Sequence, residues 1–180
     1  MNEYYMNTIK PLLINNLDFA VSEQVISGSV ELAALPRLNE LLAATNNQAE
    51  HNQSARIHYT LVGYAKKHSQ PSLHLSVNAE LPTSCQRCLN EMSVPLKLEF
   101  DYLVSNDEPA EFDGNDEVDW LEATREMNVW ELVEDELLIA FPIAPVHSVE
   151  QQKECVQYSK QSGEKPNPFA VLKDFAKKTS

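Results

Sequence analysis

With 180 residues, an apolar fraction of 43% and only four glycines, the chain suits one soluble globular domain and excludes collagen-like, mucin-like and wholly disordered classes. Its net charge of -13 denies it the basic footprint that direct nucleic-acid binding normally shows. Nowhere do about 18 apolar residues run together, so no membrane-spanning helix is expected.

Met1 to Asn16 shows no charged stretch leading into a long apolar one, so no secretory signal is read there. Leu35, Leu38, Leu41 and Leu42 fall at helical spacing, and Pro36 suits a first turn, which predicts a short helix. Asn46 to Ser54 has no apolar period and reads as a loop. The period then becomes two. Ile57, Tyr59, Leu61 and Gly63 alternate with His58, Thr60, Val62 and Tyr64. After a polar turn, Leu73, Leu75, Val77, Ala79 and Leu81 alternate with His74, Ser76, Asn78 and Glu80. Val94, Leu96, Leu98, Phe100 and Tyr102 repeat the pattern against Pro95, Lys97, Glu99 and Asp101. Alternation of this kind predicts half-buried strands of an antiparallel sheet. Pro95 donates no ladder bond, so it suggests an edge or a strand start.

From Asp101 to Glu136 the chain carries 14 acidic residues and one base, so the whole charge imbalance belongs to this segment. Its first part is an acidic loop. The plain reading is a solvated loop that keeps the protein soluble; the sharper one is a docking surface for a basic partner such as a ribosomal protein. Helical period returns at Asn128, which with Glu131 forms a candidate capping pair. Val129, Leu132, Val133, Leu137 and Ala140 share one face, Glu131, Glu134 and Asp135 lie largely outside it, and Pro142 ends the helix. The cluster Glu134, Asp135 and Glu136 reads as a solvated face, since adjacent helix positions point in different directions. A polar linker follows, and Asn167 is the expected cap of a last helix that opens at Pro168.

Three cysteines, an odd number, argue against a secreted disulfide framework and for a reducing cytoplasm. Cys85 and Cys88 sit in the connection between two strands, at the spacing of half a zinc knuckle. Cys155 and His147 have the chemistry to complete it, which makes Cys85, Cys88, His147 and Cys155 the candidate metal ligands and zinc the candidate ion. Two other readings stand beside this one. The pair can be a redox couple, with Arg87 lowering a thiol pKa, although no helix start points at it. Or the thiols stay reduced and serve packing and the turn. No Ser-His-Asp grouping can be argued from spacing.

Three pieces resemble the YceD family, the large ribosomal RNA subunit accumulation proteins of bacteria. They are "CQRCL" from Cys85 to Leu89, "LVEDELLIAFPIAPVH" from Leu132 to His147, and "KPNPFAVLKDF" from Lys165 to Phe175. The resemblance implies a cytoplasmic, non-catalytic role in synthesis, processing or stability of 23S rRNA, reached directly or through a ribosomal protein or assembly factor. It carries no established enzymatic activity. Some branches of the family have a cysteine-rich segment that looks metal-binding; here only His147 and Cys155 stand in that region. The candidate partner-binding residues within the three pieces are Arg87, Glu134, Asp135, Glu136, Asn167 and Phe169.

The expected fold is α+β: an antiparallel sheet of three or more strands, open or barrel-like, covered by a few helices, with an acidic loop and a C-terminal helix. Residues 1–160 are expected to form the domain, and residues 161–180 a linker and a short helix packed on it or tethered to it.

Overall fold

The alternating segments become long strands. A computed structural model describes residues 10–45, 55–67, 69–107, 118–148 and 155. In chain order the elements are β1 (Leu13–Ile14), α1 (Asn16–Val21), β2 (Val25–Glu31), a 3-10 turn (Leu32–Ala34), α2 (Pro36–Thr45), β3 (Arg56–Lys67), β4 (Gln70–Ser84), β5 (Glu91–Ser105), β6 (Asp119–Glu122), β7 (Met127–Asn128) and α3 (Val129–Ala140). The acidic loop over residues 108–117 and the tail with Asn167 and Phe169 lie outside the described residues.

The main sheet has the order β2-β3-β4-β5-β6. Its first four strands are antiparallel, and β6 adds parallel to β5 from Tyr102 against Asp119 to Ser105 against Glu122. The order is linear, so among the described residues the sheet is open rather than a closed barrel. The protein is thus α+β, as expected. Pro95 pairs with Glu80 on β4, while β6 reaches only the far end of β5. Among the described residues the proline therefore stands where β5 is an edge, and its missing N–H costs no ladder bond there.

Register aligns the apolar positions. Tyr59, Val77 and Leu98 lie in one row, and Leu61, Leu75 and Phe100 in the next. These residues pack with Phe19 and Ala20 of α1, Leu38 and Leu42 of α2, and Val129, Val133 and Leu137 of α3 in one core. Each fully buried Leu or Val there contributes roughly 1.5–3 kcal/mol by leaving water. Buried Asn16 ties α1 to the end of β6: its amide donates to the Glu122 carbonyl and accepts from Thr124 N–H. Asn128 caps α3 by accepting from Trp130 N–H, as its position in the sequence suggested.

The expectation that Glu134 to Glu136 form a solvated face is corrected. Glu134 is buried, and its Oε1 accepts from the N–H groups of Arg37 (2.8 Å) and Leu38 (3.0 Å). Its Oε2 accepts from the Arg37 guanidinium. The carboxylate caps the start of α2, where helical N–H groups lack partners and the dipole favours a negative charge. Glu136 is also buried and accepts from Tyr102 Oη at 2.7 Å. Only Asp135 is exposed, in an ion pair with Arg37.

Candidate metal centre

β4 ends at Ser84 and β5 begins at Glu91, and a tight turn joins them. Cys85 N–H donates to the Asn90 carbonyl, and Leu89 N–H donates back to the Cys85 carbonyl, both at 2.9 Å. Leu89 takes a positive φ of 61°, which closes the turn at a steric cost that a glycine would avoid. The Arg87 N–H points at Cys85 Sγ, 3.4 Å away. Backbone N–H groups aimed at a sulfur stabilise its thiolate form.

The second half of the site comes from beyond α3. Phe141 closes the helix and Pro142 prevents its continuation. The chain then runs along the turn, where Gln86 N–H donates to the Pro145 carbonyl at 2.8 Å. That contact delivers His147, which is buried. Its Nδ1 lies 3.4 Å from Cys88 Sγ, and its Nε2 lies 3.2 Å from the Glu91 carbonyl. Since a carbonyl only accepts, Nε2 carries the proton and Nδ1 turns its lone pair toward the sulfurs. Cys155 is buried with its Sγ 3.5 Å from Cys85 Sγ. None of the three cysteines forms a disulfide.

The structure thus brings all four sequence-expected ligands together: the donor atoms of Cys85, Cys88, His147 and Cys155 lie within 4.8 Å of one another. Their electrostatics differ. Burial pushes the Cys85 thiol up, but the N–H groups of Cys88, His147 and Arg87, with the Cys155 thiol, outweigh it and bring it to about 6. Burial raises Cys155, and its neighbours Cys85 and Cys88 add to the rise, to about 11. A thiolate at Cys85 with Cys155 holding its proton is the arrangement this favours. Both sulfurs are closed off from solvent. Thiol–disulfide exchange needs an accessible thiolate, so the burial of Cys85 suits ligation better than attack on an outside disulfide, while Cys88 is only half-buried.

Among the described residues, the expected partner-binding residues do not converge. Arg87 is exposed on the turn, whereas Glu134 is occupied at α2 and Glu136 at Tyr102. The structure also contains a grouping that spacing did not reveal. On the outer sheet face His74 Nδ1 lies 2.7 Å from Asp101 Oδ1, and Ser76 Oγ lies 3.4 Å from His74 Nε2. The pairing of His74 with Asp101 across β4 and β5 creates it, and only the register could have shown it. Lys67 Nζ sits 2.6 Å from the same Asp101 oxygen and competes with the imidazole for it.

The family model described as large ribosomal RNA subunit accumulation protein YceD matches residues 73–176, more than half of the chain and all four donors. The chain belongs to the YceD family. A similar protein, the large ribosomal RNA subunit accumulation protein YceD of Haemophilus influenzae, is 31% identical over 119 residues. That match covers 57% of this chain and 63% of the relative, just under two thirds of the relative's length. No solved structure matches the chain significantly. Within the YceD match lie most of β4 and all of β5 and α3, the elements that carry the turn and deliver His147.

Proposed function

We propose that this YceD-family chain is a non-catalytic cytoplasmic factor in synthesis, processing or stability of 23S rRNA, and so in assembly of the large ribosomal subunit. The observation that carries the reading is the match over residues 73–176 to a family named for accumulation of large ribosomal subunit RNA. Two features of the molecule support a binding role over catalysis. Cys85 and Cys155 are buried, with only Cys88 partly reaching solvent, and the Asp101 carboxylate is shared between His74 and Lys67.

Charge favours action through a protein. Asp119, Glu122, Glu126, Glu131 and Asp135 remain exposed along β6, the turn after it and α3. Such a surface repels phosphate and attracts a basic partner, as ribosomal proteins are. The test is depletion of the protein in the cell that makes it, followed by measurement of the 23S to 16S rRNA ratio. The ratio should fall and recover when the chain is resupplied. An unchanged ratio overturns the reading.

A further inference from the structure

We propose that Cys85, Cys88 and Cys155, with Nδ1 of His147, bind one Zn²⁺ ion that fastens the segment after α3 to the turn between β4 and β5. The donor set consists of soft thiolates and one imidazole, with no oxygen among the four, which selects zinc over calcium or magnesium. A tetrahedral zinc with Zn–S of about 2.3 Å holds neighbouring donors roughly 3.5–3.8 Å apart. The Cys85–Cys155 and Cys88–His147 separations of 3.5 and 3.4 Å already stand near that spacing. Four protein donors close the coordination shell, so the ion is structural, with no position left for a reacting water.

The surroundings are prepared for a cation. The Glu91 carbonyl fixes the His147 tautomer and ring orientation from the far side, the arrangement that metal-bound imidazoles take. The Arg87 N–H supports Cys85 Sγ from within the turn. Leu89 accepts a left-handed conformation to complete that turn. Zinc would displace the remaining thiol protons, so the site trades protons for the ion.

Between Pro142 and Ser148 only Pro145 and His147 are buried, and Ile143 is fully exposed. Apolar packing therefore holds this stretch weakly. The ion supplies the attachment, and through Cys155 it also fixes the point from which the chain continues toward Asn167 and Phe169.

The test uses the full chain, purified under reducing conditions without chelators, and makes no reference to rRNA, so it fails or succeeds independently of the proposed function. Elemental analysis should find about one zinc per chain. Replacing zinc with Co²⁺ should give the strong visible bands of a tetrahedral site and a thiolate-to-cobalt charge-transfer band. Cys155→Ser and Cys88→Ser should each weaken Co²⁺ binding at least about tenfold, in the range that loss of a ligand or its support produces. His147→Cys, which keeps four donors, should retain a tetrahedral spectrum with a stronger charge-transfer band, whether or not the serine variants fold. Zinc far below one equivalent, an octahedral cobalt spectrum, or binding unchanged in Cys155→Ser would overturn the proposal.

Discussion

Glu134, Asp135 and Glu136 are adjacent in sequence and meet three different fates. Glu134 caps a helix 97 residues away in the chain, Asp135 pairs with Arg37 at the surface, and Glu136 receives the Tyr102 hydroxyl inside the core. Burial raises the Glu136 carboxyl above the ordinary carboxylate range; the Tyr102 hydrogen bond pulls the other way, and the Asp119 and Asp135 charges push it further up. The folded state therefore keeps this proton to higher pH than the unfolded chain does. That contribution is fully present below the unfolded pKa and is lost as pH rises through the folded one. Glu136→Gln still accepts from Tyr102 but cannot ionise. Urea unfolding at a series of pH values should show the variant gaining on the wild type as pH rises above the ordinary carboxylate range. A variant that loses ground over that rise would refute the assignment. Asp101 has the opposite sign: burial would raise it, but Lys67 and His74 outweigh that and hold it low, so its contribution is lost as pH falls. Helical geometry revealed in advance that the three carboxylates point apart. It did not reveal their partners, because Arg37 and Tyr102 are brought to them only by the tertiary fold.

At the scale of elements, period two identified β3, β4 and β5, and a capped helical stripe identified α3. β2 escaped because two residues blur its alternation: Val25 is exposed, and inward-facing Gly28, whose added Cβ would meet Tyr59 Oη at 3.0 Å, leaves room for that ring instead of presenting an apolar side chain. α1, at six residues, is too short to display a period. Its seat on the sheet is Gly63, where a Cβ would stand 2.4 Å from the Phe19 carbonyl oxygen and 2.9 Å from Ala20 Cα. Both are backbone atoms and cannot swing aside. Gly63→Ala should therefore lift α1 and cost about 2 kcal/mol, the scale of overpacking a tight interface. The denaturant midpoint reports it, and an unmoved midpoint would mean that α1 is not seated there. The paired thiols were visible as a motif, but their partners were only two candidates among scattered residues. What the sequence lacked was the path of Pro142 to His147 along the turn, set by the Gln86–Pro145 hydrogen bond.

For the whole molecule, part of the acidic surplus serves internal contacts at Asp101, Glu134 and Glu136, and the rest of the described acids on β6, the following turn and α3 face outward. The net charge of -13 then predicts that purified protein will not retard bare 23S rRNA in a gel at about 0.15 M salt, while it will bind a basic ribosomal protein with an affinity that falls as salt rises. Tight, salt-sensitive retention of bare RNA would instead demand a hidden cationic face. The parallel addition of β6 also belongs to this scale, since local alternation cannot announce a strand that returns beside its predecessor in the same direction. Finally, Cys85 and Cys155 are 70 residues apart. At about 5–20 residues per second, translation separates their emergence by roughly 4–14 s. During that interval the nascent chain presents an incomplete set of ligands, which makes closure of the knuckle a late event in the birth of the molecule.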